Sequence, residues 1–484
     1  MTSASKQRVM GSRTPRLAPA VQRSQQAPLG LVCAIAVALL CVFALVGAWV
    51  VVLATSNAYA IAHAGRSAAA QQAAGGAAAP GGTSGSSARS AGTAPTYSSG
   101  KLAGAREETD ADGVVHGTMP DGTRYLLYGR GETSQSSSGA ISLAAVGDVF
   151  ATTMNLPIVD AYAGATGDGE YDFGPYYRAV RNDVARYDLR FINQETPCAG
   201  TDDGREYTGY PVFNTPDSSV HALADAGFNI VNFNSNHTWD MEEYGIERTH
   251  GLFAQHPQLM VVGSYASAED RQAVRLVERN GATIAVLSYS YGDNSFGEDP
   301  SAFPNNYYTC QFDKDVMRDE TERAKRLADA VVVYMHWGTE YTTEPNEQQL
   351  DYAQFLADQD VDLVIGSHAH ILQPIRYVTG ASGKRVPVVY GLSDFITGWT
   401  LTDTILSGMF TCDFVWDNGA LRVDNCAFAP AIEWSDGGDT YVRFLKDMTD
   451  EEIAANTRTE DVSDDVAYLH DFIDDLGMEV PVNR

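Results

Sequence analysis

Six side chains that can bind metal ions follow short apolar, β-rich runs of the chain. His368 and His370 are two positions apart, so in an extended segment both imidazoles point to the same side. The six residues are Asp148, Glu195, Asn236, His336, His368 and His370. Mixed oxygen and nitrogen donors without thiolates suit Mn, Fe or Zn. We therefore predict a centre for one or two divalent metal ions.

A histidine and a carboxylate beside one of these ligands could handle a proton. His237 follows Asn236 directly, and Asp240 comes three residues later. A histidine held by a carboxylate can donate a proton to a leaving oxygen, while a metal ion lowers the pKa of water. Asp240 could also act as the N-cap of a helix over 241–250, and the two roles do not exclude each other.

The elements that must position these residues lie between residues 141 and 435, where apolar strands alternate with helical stretches. The predicted strands are Ile141–Val146, Asp188–Ile192, Asn229–Phe233, Leu259–Val262, Thr283–Tyr289, Ala330–Met335, Asp362–Ile365 and Pro387–Tyr390. Helices are predicted after Pro216 and over Glu347–Asp358. This alternation is typical of an α/β domain with a layered central sheet. Sites in such sheets form outside the carboxyl ends of strands, so we expect one cleft.

The N-terminal region has the pattern of a membrane anchor. Residues 1–28 carry five positive charges and no acid, and the next 25 residues carry no charge. A helix needs about 20 apolar residues to cross a bilayer, and its basic flank stays cytoplasmic. We predict a single transmembrane helix over 29–54, after a basic cytoplasmic tail over 1–28. A signal peptide cleaved after Ala58-Tyr59-Ala60 is the alternative, and either places the globular part outside the cytoplasm.

The remaining segments surround the α/β domain over 141–435. Residues 55–112, rich in small residues over 61–100, are predicted to be a flexible linker, and 113–140 a short β hairpin that leads into the domain. Residues 436–484 are predicted to form an acidic C-terminal tail. The formal net charge of −29 excludes a general nucleic-acid binder.

Four cysteines follow the apolar segment, in a compartment where disulfides are permitted. They are Cys198, Cys310, Cys412 and Cys426. Cys412 and Cys426 flank a hairpin signal and would lie opposite each other if the loop is Asn418–Ala420. Their pairing stays open at this level.

The polar segments as a set resemble those of CapA proteins of capsule synthesis. These proteins are associated with poly-γ-glutamate and are related to calcineurin-like metallophosphoesterases. The resemblance covers about residues 142–396. The matching motifs are, in chain order, Gly147-Asp148, Asn193-x-Glu195, Asn236-His237-x-x-Asp240, His336-Trp337-Gly338-x-Glu340-Tyr341, Gly366-x-His368-x-His370 with Gln373, and Tyr390-x-Leu392-x-x-Phe395.

The resemblance implies a four-layer αββα sandwich and a division of labour among the site residues. Asp148, Glu195 and His370 would hold one metal ion, with Glu195 bridging. Asn236, His336 and His368 would hold the second ion. His237 would be the proton donor, backed by Asp240. The residues expected to contact substrate are Asn193, Trp337 and Glu340.

The sequence departs from the related phosphoesterases at several places near these motifs, and two of them lie close to the predicted ligands. Their first motif is usually Asp-x-His, and position 150 is Phe150 here, so one ligand of the first ion is missing. Ser393-Asp394 replaces a usual Gly-Asn, which we interpret as a loop change without chemical consequence.

The function implied is that of a single-pass protein of the cell membrane whose extracytoplasmic domain acts in poly-γ-glutamate capsule or envelope polymer biosynthesis. Its chemistry would be metal-dependent hydrolysis or transfer at a phosphoester or amide, on an anionic polymer or phosphoester. One alternative is a non-catalytic accessory component of a polymer synthesis or export complex. Another is an exported metal-dependent phosphoesterase unrelated to capsule.

Overall fold

The computed structural model describes residues 100–135, 139–297, 299–302, 307–458 and 466–484. The predicted membrane helix over 29–54 lies outside these residues, as does most of the predicted linker. Among the helices of the described part, none has the length and apolar character needed to cross a membrane.

Strands dominate the described part of the chain. They are β1 (Arg106–Thr109), β2 (Val115–Thr118), β3 (Arg124–Tyr128), β4 (Ile141–Val149), β5 (Leu189–Gln194), β6 (Ile230–Asn232), β7 (Met260–Val262), β8 (Val274–Arg279), β9 (Ala282–Ser290), β10 (Ala330–His336), β11 (Leu363–Ser367), β12 (Ile375–Thr379), β13 (Arg385–Val389), β14 (Asp394–Ile396), β15 (Leu406–Asp417), β16 (Ala420–Ser435) and β17 (Thr440–Phe444).

Helices connect many of these strands. They are α1 (Leu156–Ala163), α2 (Arg181–Val184), α3 (Ser218–Asp225), α4 (Glu242–Phe253), α5 (Ala268–Arg271), α6 (Lys314–Leu327), α7 (Glu347–Asp358), α8 (Thr402–Ile405), α9 (Asp450–Ala454) and α10 (Val466–Asp475). Helix α7 has the predicted bounds because Asn346 and Gln349 form a capping box at its start.

The strands form two sheets. One sheet has the order β1-β2-β3-β8-β9-β10-β11-β13-β12, and the other has the order β17-β16-β15-β4-β5-β6-β7, with β14 beside β4. The adjacent strands β4 to β7 are parallel, and so are β9, β10, β11 and β13. Their carboxyl ends therefore lie at a common edge within each sheet, where the polar segments begin.

Three apolar cores show how the layers are stacked. Leu143 and Phe191 of one sheet share a core with Ile284 and Val332 of the other, so the two sheets face each other. A second core joins β4, β5 and β6 to α3 and α4. A third joins β9, β10 and β11 to α6 and α7. The fold is thus a mixed α/β fold, layered helix–sheet–sheet–helix.

Each of the eight predicted strands overlaps an observed one, whereas β1, β8, β12, β14 and β17 are additional. Strand β8 is hard to predict because three of its six residues, VRLVER, are charged although all six are buried. Arg275 is nevertheless buried, since its guanidinium pairs with Asp270 at 2.6 Å. Ion pairing of this kind lets charged residues enter a buried strand.

The segments outside 141–435 also contribute to the folded unit. Strands β1 to β3 form an antiparallel meander that begins at Arg106, and β3 joins the first sheet by pairing in parallel with β8. After residue 435, β17 pairs with β16, and α10 buries Leu469 and Ile473 in the core between the sheets. These two residues are four apart, so they share one face of an otherwise acidic helix.

The hairpin of β15 and β16 has a two-residue loop, Asn418 and Gly419, rather than the predicted three-residue loop. A register shift between Thr411 and Asp413 compensates and brings the thiols of Cys412 and Cys426 into contact. All four cysteines of the described part are buried thiols.

Candidate metal centre

Buried polar side chains meet at the carboxyl ends of the parallel strands. They come from the end of β4 (Asp148), the residue after β5 (Glu195), the segment after β6 (Asn236), the end of β10 (His336), the segment after β11 (His368 and His370) and the start of β14 (Asp394). The register of β4 and β5 places Asn193 opposite Asp148, and that of β10 and β11 places Ser367 opposite His336. The strands thus converge on one cluster.

Glu195 belongs to two groups of potential ligands. Its carboxylate lies with those of Asp148 and Asp394 and with the His370 ring, and the ligand atoms all lie within 4.8 Å of one another. The same spacing holds for Glu195 with His336 and His368. Glu195 Oε1 is 3.8 Å from His336 Nε2 and 3.9 Å from His370 Nε2. Glu195 is therefore the residue that could bridge two ions.

Several atoms of this cluster are buried without a hydrogen-bond partner among the described residues. They are both carboxylate oxygens of Glu195, Nδ1 of His368 and Oδ2 of Asp394. Buried polar atoms without partners are rare in folded proteins. Carboxylate oxygens and imidazole nitrogens are also the donors that Mn, Fe and Zn accept. The residues therefore fit a centre for divalent metal ions.

Burial and mutual repulsion raise the pKa values of the acidic residues in the cluster. Burial, followed by the charge of Asp394, raises the pKa of Asp148 to about 7. Burial also raises the pKa of Glu195 well above its ordinary value, and it raises that of Asp394. A cation bound among these carboxylates would offset both the desolvation and the repulsion.

The histidines respond to the same surroundings in different ways. Burial lowers the pKa of His336 and of His368 well below the ordinary value, which keeps both rings neutral and able to coordinate. For His370, burial alone would lower the pKa, but Asp394 and Glu195 raise it well above that value. A metal ion would thus compete with a proton at His370.

Neighbouring side chains orient the potential ligands. His336 Nδ1 lies 2.9 Å from Ser367 Oγ, which leaves Nε2 facing the cluster, where it is 2.7 Å from Asn236 Oδ1. His370 Nδ1 lies 2.7 Å from Asp394 Oδ1. Such partners set the ring orientation of metal-binding histidines. Both rings therefore present Nε2 toward Glu195.

His237 and Asp240 form the predicted pair beside this cluster. His237 Nδ1 is 2.8 Å from Asp240 Oδ2, which also accepts the backbone N–H of Phe213 at 2.7 Å. Burial raises the pKa of Asp240. Asp240 is not a helix N-cap, because α4 begins at Glu242 after Met241, without a side-chain cap. Its carboxylate instead orients the His237 ring.

Asp394 is a site residue that the sequence motifs did not reveal. Its replacement of a usual Asn suggests only a loop change, yet β14 pairs with β4 and places Asp394 opposite Asp148. At position 150, where the resemblance leads one to expect a histidine, the Phe150 ring packs 5.5 Å from the His370 ring. Asp394 thus adds a carboxylate to the group that lacks that histidine. Its place shortly after an apolar strand was the signal available in the sequence.

The three residues predicted to contact substrate have different surroundings. Trp337 is buried in the outer core and donates its indole N–H to the Tyr390 carbonyl at 2.9 Å, so it does not line the cleft. Asn193 is buried and donates to Asp148 Oδ1 at 2.8 Å, which makes it a positioning residue. Glu340 is exposed and lies near His368 and His370. Of the three, only Glu340 can reach a substrate.

The backbone at the cluster is unusually close-packed. A Cβ on Gly147 would lie 1.8 Å from the Ser393 carbonyl oxygen, which accepts the Asp148 N–H at 3.0 Å. His368 and His370 both have positive φ, at 96° and 56°, a conformation that L residues adopt at a cost. The fold holds these two ligands in place despite that cost.

Comparison with known proteins places this architecture in a family. A family model described as "Bacterial capsule synthesis protein PGA_cap" matches residues 142–398, which is more than half of the chain. The chain belongs to this family. The matched segment contains each predicted metal ligand together with Asp394.

Two curated relatives share this segment. The PGA biosynthesis protein CapA of Bacillus subtilis (strain 168) is 31% identical over 190 residues, which cover 39% of this chain and 48% of the relative. The capsule biosynthesis protein CapA of Bacillus anthracis is 28% identical over 192 residues, covering 38% and 44%. The chain spans less than half the length of the curated relatives it matches.

Solved structures with a similar arrangement are distant. The calcineurin-like phosphoesterase YfkN from Bacillus subtilis has a TM-score of 0.36 at 12% identity and covers 70% of this chain and 99% of its own. A hypothetical protein from Thermus thermophilus has a TM-score of 0.34 at 15% identity, covering 63% and 99%. At these TM-scores the similarity supports no conclusion about chemistry.

Proposed function

We propose that this protein is a membrane-anchored, extracytoplasmic metal-dependent hydrolase or transferase that acts on poly-γ-glutamate or another envelope polymer. Membership of the capsule synthesis family supports the biological setting. The observation that carries the chemistry is Glu195, whose two buried oxygens lack hydrogen-bond partners among the described residues and belong to both ligand groups. The basic tail and apolar segment of the N terminus support the anchor.

The ligand assignment follows from the two groups of atoms. Asp148, Glu195, His370 and Asp394 would hold one ion, and Glu195, His336 and His368 the other, with Asn236 beside His336. Divalent ions bound there would polarise a substrate oxygen and make a water molecule more acidic. The net charge of −29 opposes an anionic polymer, and a cluster of cations would reverse the sign locally.

His237 would supply the proton. Asp240 accepts from Nδ1, so Nε2 is the ring atom that can donate a proton to the oxygen or nitrogen leaving the substrate. The side chain of Asn294 lies 3.3 Å from Nε2 and limits how the ring can turn. Close to the His370 ring, at 5.9 Å, the exposed Tyr341 and neighbouring Glu340 offer surface for a polymer chain.

Replacement of His237 tests the catalytic proposal. His237→Ala in the full chain should lower turnover of a chromogenic phosphodiester or of poly-γ-glutamate about 10²- to 10⁴-fold, the range for losing a general acid. Metal content by elemental analysis should stay unchanged. His116→Ala, at an exposed histidine paired with Asp110, is the matched control. Full activity of His237→Ala would contradict the assignment.

A non-catalytic role with a structural metal is the second candidate, and Phe150 at the position of a usual ligand favours it. Metal binding without any hydrolysis, together with loss of envelope polyglutamate on deletion of the gene, would support this role. Hydrolysis of phosphodiesters with polymer unchanged on deletion would instead indicate an exported phosphoesterase unrelated to capsule. Protease accessibility of the domain in intact cells tests the extracytoplasmic location.

A further inference from the structure

A cavity of about 560 Å³ lies at the opposite end of the strands that carry the metal cluster. Arg190 is the second residue of β5, and Glu195 follows that strand, so about 16 Å of extended chain separates them at about 3.3 Å per residue. Arg279 ends β8 on the other sheet, and Arg130 follows β3. The three guanidinium-bearing residues line the cavity, whose floor includes the buried side chains of Phe228 and Met260.

Two of these three arginines have their own acidic partners. Arg130 pairs with Glu107 at 2.5 Å and lies 3.4 Å from Glu278. Arg279 Nη2 pairs with Glu132 at 2.9 Å, and its Nη1 donates to the Glu278 carbonyl at 2.7 Å. Both positive charges are therefore already balanced within the protein.

Arg190 differs from its neighbours. Among the residues that the structure describes, its guanidinium makes no hydrogen bond or ion pair, and its Nε is buried. Burial, and then the charge of Arg279, lowers the pKa of Arg190, whereas the charges of Asp188 and Glu132 act in the opposite direction. Asp112 and Glu132 also line the cavity, and neither forms an ion pair with Arg190. A guanidinium that lines a cavity without any hydrogen bond or ion pair needs an explanation in a protein with 62 acidic residues.

The chemistry of the cavity indicates the class of ligand. A guanidinium binds carboxylate or phosphate oxygens in a two-pronged arrangement. Arg279 lies nearby and packs closely against Gly129, where a Cβ would lie 1.9 Å from its Nη1. The apolar floor suits a short hydrocarbon portion, and the volume lies in the range of about 300–1,000 Å³ typical of small-molecule sites.

We propose that the cavity between Arg190 and Arg279 binds a small organic oxyanion. Its carboxylate or phosphate group would contact the Arg190 guanidinium, and its hydrocarbon portion would lie over Phe228 and Met260. This site is separate from the metal centre and does not depend on the activity proposed there.

Calorimetry on the chelator-stripped full chain tests the proposal, with inorganic phosphate and glutarate as probes. We expect at least one probe to bind, and Arg190→Gln to weaken that binding about tenfold or more. Arg422→Gln, on the distant β16 hairpin strand where it pairs with Asp424, removes the same charge and should change affinity less than about twofold. Preference for phosphate or for glutarate identifies the head group.

A further variant excludes binding at the metal cluster. His368→Ala/His370→Ala should leave probe affinity unchanged, since those residues lie at the other end of the sheet. Arg190→Lys keeps the charge but not the two-pronged geometry, and should weaken binding about threefold to tenfold even if Arg190→Gln folds poorly. Equal binding by Arg190→Gln and Arg422→Gln, or no binding of either probe, would overturn the proposal.

Discussion

Side chains of opposite charge lie at the two ends of β5, and both have too few hydrogen-bond partners within the described part of the chain. Glu195, just past the carboxyl end, and Arg190, near the amino end, both have buried polar atoms without partners among the described residues. Their neighbourhoods differ, because Glu195 lies among further buried acids whereas the charged neighbours of Arg190 are paired with one another or with other residues. Crowded acids need cations to offset their repulsion, whereas one guanidinium needs only one small anion. We therefore expect tight binding at the first end and weak binding at the second.

The largest effect is expected from Glu195→Ala. Because Glu195 belongs to both ligand groups, its removal should lower metal content at both positions, whereas Asp148→Ala should leave the second position occupied. Elemental analysis of the purified full chain measures this difference. Glu344→Ala, an exposed acid paired with Arg376, is the control that should retain full metal content. Greater loss from Asp148→Ala than from Glu195→Ala would refute the bridging role.

Glycine replacement compares the rigidity of the two ends. Gly147→Ala should destabilise the protein by about 3 kcal/mol, because the new Cβ meets the Ser393 backbone. Gly129→Ala should cost less, about 1–2 kcal/mol, because φ is 67° and the closest atom to the new Cβ is the side-chain end of Arg279, with the Glu278 carbonyl oxygen at 3.2 Å. Denaturant unfolding gives both values. Similar costs would show that the two ends are equally constrained.

Ligand binding at the two ends of β5 should also differ in its dependence on pH. Since the pKa of Asp148 is about 7, a proton competes with metal below that pH, and metal affinity should rise by up to about tenfold per unit between pH 5 and 7. Without metal, the stability of the fold depends on pH in the opposite direction, because the Asp148 carboxyl has a pKa of about 3.9 in the unfolded chain. Stability is then greatest at low pH and falls as pH rises from about 4 to 7.

Titrations by calorimetry across about pH 5 to 8.5 measure this dependence. Asp148→Asn should make the rise of metal affinity with pH less steep, since the amide does not titrate in that range, while Glu195 and His370 still bind protons. Metal affinity that is constant with pH in the unaltered protein would contradict the buried, proton-competing carboxylates. Anion binding at Arg190 should change far less over this range, because a guanidinium stays protonated throughout.

The smallest effect is expected when a residue is replaced at one end of β5 and ligand affinity is measured at the other end. Arg190→Gln should leave metal affinity within about twofold, because distant sites without shared partners act additively. Calorimetric metal titration of this variant beside the unaltered chain tests independence. A loss of about tenfold would instead reveal coupling along β5.

Much of the site could be predicted from local patterns. The predicted strands overlap β4, β5, β6, β10 and β11, because each combines apolar, β-forming residues with a polar segment at its carboxyl end. Trp337 could not be placed this way, since its burial depends on Gly366, whose Cβ would lie 2.3 Å from the indole nitrogen. The part played by Asp394 depends on the pairing of β14 with β4, far apart in the sequence.

The sequence by itself determined which residue types are available and which strand each one follows, because periodicity and strand ends depend on neighbours along the chain. Only the tertiary structure decided that Glu195 is shared, that Asp394 joins the cluster and that Arg190 forms no ion pair among the described residues. The reason is physical: coordination, desolvation and charge pairing depend on distances of a few ångströms between segments that are remote in sequence.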